Sequence, residues 1–180
     1  MTLEFCPTPK TPLRLSPSKP SRHPLSWLLL ASLLPTAAQA QELADLVIVS
    51  KSARTLTVYA HGQPLRTYSN IQLGQQPIGP KQVQGDSRTP EGRYTLDYGN
   101  PHSAYHLSLH ISYPAPRDRT QAAALGQSPG GDIFIHGQPN DFAGDRVEGD
   151  WTLGCIALAN AEMDELWVQV GDGTPIEIAP

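Results

Sequence analysis

Two short segments carry a histidine and a cysteine that together could perform acyl transfer. His136 ends the apolar run Ile133–Ile135, and Cys155 lies in the segment 149–158. A cysteine attacks a carbonyl as its thiolate, and a nearby histidine can lower the pKa of the thiol and carry the proton. Residue types alone also fit a second interpretation, in which both side chains are ordinary core residues of short apolar strands.

A glycine beside each of these residues indicates that another group approaches the backbone closely there. Gly137 follows the histidine and Gly154 precedes the cysteine, and glycine permits close approach of another backbone or of a ligand. Around Gly154, two amide N–H groups could point at one oxygen and form an oxyanion hole. Trp151 and Thr152, just before Gly154, could serve the site or merely pack.

The elements that must position these residues are mainly strands. Period-two apolar patterns and turn residues predict a mainly β domain with about eight short strands. We place the strands at 46–49, 55–60, 64–68, 93–98, 105–113, 132–136, 154–158 and 175–179. Loops are predicted at Gly74–Gly92 and Gln138–Asp150. One principal helix follows the cysteine, with Asn160 as its cap and an apolar stripe of Met163, Leu166, Trp167 and Val170. Another helical turn is predicted at Gln121–Leu125.

The run from Tyr105 to Tyr113 shows the clearest alternation. Its odd-numbered residues are apolar or aromatic, whereas its even-numbered residues are histidine or serine. Histidines at 102, 106 and 110 would share one face of a helix and suggest a metal site, but the period of two favours a strand. The polar face of that strand is predicted to look into solvent or a cleft.

The first 40 residues have the order of a secretory signal peptide. A basic region precedes a short apolar core at Leu25–Leu34, and a small-residue exit follows at Ala38–Ala40. We therefore predict a leader at 1–40 and a single domain at 41–180. An uncleaved membrane anchor is the alternative interpretation.

Removal of the leader would leave an acidic domain with one cysteine. It would hold 9 Lys and Arg (13 − 4) and 16 Asp and Glu (17 − 1), a net charge near −7. Without a basic stripe, a nucleic-acid partner is not expected. Cys6 would leave with the leader, so Cys155 could form no internal disulfide. No nucleotide, flavin or metal motif appears, and no cofactor is expected.

At its two chemical segments the chain resembles the L,D-transpeptidase catalytic domain family (YkuD type). The resemblance rests on Ile135–Gly137 and on Thr152–Ile156. It is supported by Gly85–Tyr94, similar to an upstream family signature, and by His110–Pro114, similar to the strand after it. The four motifs follow the family's order over about residues 46–178, nearly all of the predicted domain.

The resemblance implies a fold, a site and a substrate. The fold would be a β-sandwich or open barrel with the cysteine in a cleft. Cys155 would attack the carbonyl of residue 3 of a peptidoglycan stem tetrapeptide. His136 would protonate the departing D-Ala, and a second amine would then resolve the thioester. The Gly154 and Cys155 amides would be the oxyanion donors, and a backbone carbonyl would orient the histidine.

Two positions depart from the family pattern. Leu153 stands where the family commonly has a second histidine, and Ala157 where it commonly has an arginine. Trp151 is predicted to floor the pocket, and Thr152 to hydrogen-bond substrate or His136. Gly137 and Tyr113 complete the candidate substrate contacts, although Ser112 and Tyr113 fall on opposite faces and the sequence does not say which of the two borders the cleft.

The resemblance also implies a cell-wall role in the periplasm of a Gram-negative bacterium, bearing on cell shape. The acceptor could be another stem peptide or a lysine of a wall-anchored lipoprotein, and carbapenem inhibitors could acylate the thiol. The alternatives are a carboxypeptidase or hydrolase that uses the same thioester, and a non-catalytic wall-binding protein.

Overall fold

The computed structural model describes residues 43–180, so the predicted leader lies outside the described residues. The described chain forms eight strands and two helices. In order these are β1 Leu46–Ser50, β2 Thr55–Ala60, β3 Gln63–Ser69, β4 Gly92–Ser103, β5 His106–Ile111, α1 Pro116–Ala124, β6 Ile133–His136, β7 Ile156–Ala157, α2 Asn160–Gln169 and β8 Thr174–Ala179. None of the described helices is long and apolar enough to cross a membrane.

All eight strands join one sheet in the order β3-β2-β1-β8-β4-β5-β6-β7. The pairs β1–β8 and β6–β7 are parallel, and the other pairs are antiparallel. The sheet curls into a half-barrel, so the predicted mainly β class is confirmed in its open-barrel form. Each predicted strand overlaps an observed one, because β-branched alternation suits a sheet with one buried face.

The core lies against one face of this sheet. Alternate residues of β1 and β2, such as Val47 and Leu56, are fully buried, and their neighbours are only partly so. Helix α2 closes the core with Met163 and Leu166, which confirms the apolar stripe of the sequence.

The helix termini differ from the prediction. Helix α2 starts at Asn160, but the Asn160 side chain does not cap it and instead accepts a hydrogen bond from the Gln138 N–H at 2.7 Å. The Ala159 N–H instead donates to the Glu162 carboxylate. Helix α1 spans nine residues where one turn at 121–125 was predicted. It has few buried residues, chiefly Ala122 and Asp118, and so no apolar stripe announces it in the sequence.

The predicted alternation of Tyr105–Tyr113 holds for most of β5 and fails at its start. Leu109 and Ile111 are buried as expected. His106 has a φ of +64°, which turns the chain out of the extended conformation at the β4–β5 hairpin. Tyr105 therefore leaves the apolar face and is 40% exposed. This reversal places its ring over the candidate site.

Candidate active site

Strand pairing brings Cys155 and His136 to one face of the sheet. Ile135 is the register partner of Ile156, and His136 is the partner of Ala157. Cys155 is therefore level with Phe134, and Phe134 and His136 share a face because side chains alternate along a strand. Regular sheet geometry separates the Cys155 and His136 Cα atoms by roughly 8 Å, one strand across and two residues along.

His136 is held by the backbone that follows it. Its side chain is buried, and its Nδ1 atom lies 2.7 Å from the Gly137 carbonyl oxygen. A carbonyl can only accept, so Nδ1 carries the proton in the neutral ring and Nε2 keeps its lone pair. Burial lowers the pKa of His136 below its usual value, which favours this neutral form.

Gly137 sits in a close contact that no side chain would fit. A Cβ at this position would lie 2.5 Å from the Asn160 Oδ1 atom and 2.9 Å from the His106 Cβ. Its own N–H donates to the Tyr105 carbonyl at 3.0 Å. The glycine thus serves backbone packing that fixes the histidine.

The Cys155 thiol lies between two backbone groups. The Phe134 N–H donates to Sγ at 3.4 Å, and Sγ is 3.7 Å from the Asp132 carbonyl oxygen. Burial raises the pKa of the Cys155 thiol, although the Phe134 N–H and the charge of Lys81 act in the opposite direction. Burial thus shifts both groups toward their uncharged forms, a thiol and a neutral imidazole.

Both side chains line one cavity of about 600 Å³. Its walls come from the β4–β5 hairpin, β6 and the segment before β7, and they include four rings. The lining residues are Ser103, Ala104, Tyr105, Ser108, Asp132, Phe134, His136, Trp151, Thr152, Leu153 and Cys155.

Aromatic rings enclose His136 inside this cavity. The Tyr105 ring centroid is 4.8 Å from that of His136, and the Trp151 centroid is 5.6 Å from it. Trp151 thus lines the cavity. Tyr105 and Phe134 were not identified from the sequence, although Phe134 shares the period-two face of His136 and could have been.

A second depression, of about 380 Å³, lies on the other side of the thiol. Cys155, Leu153 and Asp132 line both spaces, while Lys81 and Ser87 belong to the second alone. Leu153 is 72% exposed. The nucleophile candidate is therefore accessible from an aromatic side and from a polar side.

Thr152 and Gly154 do not act as the sequence suggested. The Thr152 hydroxyl donates to the Cys155 carbonyl at 2.7 Å and accepts from the Gly154 N–H at 3.2 Å. The hydroxyl proton of Thr152 is therefore used inside the loop, and Thr152 donates no hydrogen bond to His136 or into the cavity. The Gly154 N–H is likewise occupied, which corrects the predicted pair of oxyanion donors. The Cys155 N–H has no acceptor among residues 43–180.

Gly154 is nevertheless required at its position. Its φ is +134°, and a Cβ there would lie 2.7 Å from the Arg88 carbonyl oxygen. The loop Gly74–Gly92 thus packs directly under the cysteine. That loop is fixed by Asp86, whose carboxylate accepts from Lys81 at 2.8 Å and from nearby backbone N–H groups.

Tyr113, predicted to contact substrate, is buried in the core instead. It is 2% exposed, its hydroxyl donates to the Pro129 carbonyl at 2.9 Å, and its ring packs edge-on against Tyr94. The alternation that buries Leu109 and Ile111 continues through Tyr113 and turns it into the core. Tyr113 lines neither space beside Cys155, so its proposed role is corrected.

A buried pair of glutamines behind Trp151 was missed by the sequence analysis. Gln72 Oε1 accepts from the Trp151 indole N–H at 3.2 Å and from the Gln138 side-chain amide at 3.1 Å. The Gln72 amide nitrogen donates to the carbonyls of Val147 and Gly149. This network connects the loop Gln138–Asp150 to the cavity wall. Isolated glutamines in loop-like sequence gave no signal for it.

Ala157 is fully buried. Its backbone N–H donates to the Gln72 carbonyl at 2.8 Å, and its carbonyl accepts from the Gln72 N–H at 2.9 Å.

Within residues 43–180, no three His, Cys, Asp or Glu side chains come together in a way that could hold a metal ion. Two histidines of the alternating run, His106 and His110, each pair with a different carboxylate. His106 Nε2 lies 2.7 Å from Asp164, and His110 Nδ1 lies 2.6 Å from Asp97.

Comparison with known proteins identifies relatives of this arrangement. The family profile of the L,D-transpeptidase catalytic domain (YkuD) matches residues 44–178. YafK of Escherichia coli strain K12, whose name assigns it provisionally to the L,D-transpeptidases, is 29% identical over 124 residues. These are 66% of this chain and 44% of YafK.

Solved structures share the fold. The helical cell shape determining protein Pgp2 of Campylobacter jejuni has a TM-score of 0.59 and 28% identity, over 76% of this chain and 48% of Pgp2. An L,D-transpeptidase of Xylanimonas cellulosilytica DSM 15894 has a TM-score of 0.51 and 15% identity, over 78% of this chain and 62% of that one. The chain spans less than half the length of YafK and of Pgp2.

Proposed function

Because the chain belongs to the L,D-transpeptidase catalytic domain family, we propose that it is a cysteine-dependent acyltransferase acting on peptidoglycan stem peptides. The observation that carries the proposal is the shared cavity of Cys155 and His136, in which the Gly137 carbonyl leaves the histidine Nε2 free to act as a base. Cys155 is the proposed nucleophile and His136 the proposed general acid and base.

Acylation would begin from the neutral pair. Nε2 of His136 takes the thiol proton as Sγ attacks the carbonyl carbon of residue 3 of a tetrapeptide. The Cys155 N–H is the proposed donor to the resulting oxyanion. When the tetrahedral intermediate collapses, the C–N bond to D-Ala breaks and His136 returns the proton to the departing amine. The product is a thioester on Cys155.

Deacylation would use the second side of the thiol. The exposed Asp132 carboxylate borders the polar depression and would attract the ammonium group of an acceptor. The ammonium first gives up a proton to solvent, and the free amine adds to the thioester carbonyl. His136 accepts the proton that the adding amine loses and passes it to the Cys155 sulfur as the C–S bond breaks, so the amide product leaves and the thiol is restored. The acceptor is a second stem peptide in this proposal, whereas a lipoprotein lysine or water would give an anchoring enzyme or a hydrolase.

We also propose that the chain is exported and acts in the periplasm. The basic, apolar and small-residue order of residues 1–40 supports export, and the proposed substrate lies outside the cytoplasm. A role in cell shape is proposed by analogy with the name of Pgp2. Sequencing the N-terminus of the protein recovered from the periplasm would test the cleavage after Ala40.

The test is mass spectrometry of the purified chain incubated with a disaccharide tetrapeptide. We expect a dimer joined between two residues 3, with loss of D-Ala. Cys155→Ser should abolish the dimer without changing the circular dichroism spectrum. Cys6→Ser, which removes the other cysteine of the chain, should retain it.

Other outcomes of this experiment would support one of the alternative functions. Tripeptide without dimer would replace transpeptidation with hydrolysis. A Cys155→Ser variant that still forms dimer would refute the nucleophile assignment. Absence of any turnover, together with no carbapenem adduct on Cys155, would leave the non-catalytic alternative.

A further inference from the structure

We propose that Tyr98, His110 and Phe134 form an aromatic platform that binds the sugar to which the stem peptide is attached. The inference rests on the proposed function, since it extends the donor side of the same site. The three rings contact one another: Tyr98 stacks on His110 at 4.6 Å, and His110 meets Phe134 edge-on at 4.9 Å. Tyr98 is 45% exposed, so the platform has an open surface.

A β-bulge builds the outer end of this platform. In the β4–β5 pairing, Leu96 faces Ile111 and Gly99 faces Leu109, so two residues of β4 oppose the single residue His110. Both reach it, because the Asp97 carboxylate lies 2.6 Å from its Nδ1 and Tyr98 covers its ring. A bulge redirects side chains in this way and commonly occurs near active sites. Asp97 and Tyr98 are both exposed, so neither residue belongs to the core.

The platform is continuous with the catalytic cavity. Phe134 lines the cavity, and its N–H donates to the Cys155 sulfur. Phe134 is also the register partner of His110. Cys155, Phe134, His110 and Tyr98 thus form a row across the sheet on its cleft face.

The length of the row fits the substrate. Three strand spacings separate Cys155 from β4, which is about 14 Å. In the substrate, three residues and a lactyl link separate the reacting carbonyl from the sugar, and three extended residues alone span about 10–11 Å. A donor peptide lying across the strands from Cys155 would therefore bring its sugar to Tyr98.

The chemistry of the surface suits a sugar. A pyranose ring presents a C–H face that packs on an aromatic ring and hydroxyl edges that need polar partners. Tyr98 offers the open ring, and the partly exposed Asp97 carboxylate and the Tyr98 hydroxyl offer polar atoms beside it. An apolar peptide side chain is the competing occupant, and the test separates the two.

The experiment compares kcat/KM for the disaccharide tetrapeptide and for the same tetrapeptide without sugar. The full chain is measured as wild type, Tyr98→Ala and Tyr98→Phe. We expect wild type to favour the disaccharide substrate by about 3- to 10-fold, the effect of one aromatic stacking contact. Tyr98→Ala should bring this ratio near 1 through a higher KM, and Tyr98→Phe, which keeps the ring, should retain most of it.

A binding measurement separates this proposal from the proposed function. NMR titration of the Cys155→Ser chain with a peptide-free N-acetylglucosamine oligomer should shift resonances of Tyr98, His110 and Phe134. If wild type turns over both substrates equally, or if Tyr98→Ala impairs both equally, the sugar platform is refuted while the enzyme function stands. If neither substrate reacts, the proposed function fails, and the titration alone decides on the platform. Shifted resonances of Tyr98, His110 and Phe134 would support the platform, and unshifted resonances would refute it.

Discussion

Replacing Gln72 with leucine should detach Trp151 from its anchor and destabilise the wall beside His136. Gln72 is buried, and its side chain joins four groups: the carbonyls of Val147 and Gly149, the Trp151 indole and the Gln138 amide. Leucine has a similar size but can make none of these hydrogen bonds. The loop Gln138–Asp150 and the indole would both lose their shared partner.

The magnitude follows from the exposure of the four partners. Hydrogen bonds of this type contribute about 0.5–1.5 kcal/mol each, which sets limits of about 2–6 kcal/mol for the loss. Val147 and Gly149 lie near the surface, so water can replace Gln72 at their carbonyls. We therefore expect the free energy of unfolding to fall by about 2–3 kcal/mol, and Tm to fall by roughly 6–15 °C for a domain of this size.

The assay is thermal and urea unfolding followed by circular dichroism, with Gln63→Leu as the control. Gln63 is an exposed residue of the edge strand β3, and its change should stay within about 0.5 kcal/mol. Where folded Gln72→Leu protein is obtained, kcat should drop at least tenfold, since displaced catalytic groups react far more slowly. A Gln72→Leu protein as stable and active as wild type would refute the view that this network holds the site.

Two further predictions concern the cysteine loop. Thr152→Val should lower the free energy of unfolding by about 1–3 kcal/mol, because the Gly154 N–H and the Cys155 carbonyl lose their shared partner. Thr152→Ser, which keeps the hydroxyl, should retain most of the stability. Urea unfolding of the two variants checks this, and equal stability of Thr152→Val and Thr152→Ser would contradict it. Burial raises the pKa of the Cys155 thiol, so iodoacetamide at pH 7 should modify it more slowly than free cysteine. The modification rate should level off at a higher pH than that of free cysteine. Peptide mapping follows Cys155 separately from Cys6, and a rate faster than that of free cysteine would indicate a resting thiolate instead.

The strands were predictable because their signal is local. In β2, for example, Leu56, Val58 and Ala60 alternate with less buried residues, and no distant partner is needed to read that pattern. Helix α1 was largely missed because its stabilising contacts are polar. Asp118 accepts from the Ala115 N–H and from the Tyr94 hydroxyl, and neither contact leaves a periodic apolar trace.

The roles of individual loop residues were harder to predict from the sequence than the identity of the Cys155 and His136 pair. Thr152 and Gly154 were assigned to substrate and oxyanion by position, yet their polar groups bond to one another inside the turn. Tyr113 was assigned to the cleft, yet its side of β5 faces the core. Hydrogen-bond partners depend on distances of a few tenths of an ångström, and spacing along the chain does not supply them.

The sequence by itself determined the mainly β class, the two segments that carry Cys155 and His136, and the family resemblance of both. These follow from residue chemistry and from side-chain periodicity, which are properties of short stretches. Only the tertiary structure decided that the two residues share a cavity, that Gly137 leaves Nε2 of the histidine free, and that Tyr98 continues the row. Strand pairing joins segments far apart in the chain, and its register alone sets which side chains become neighbours.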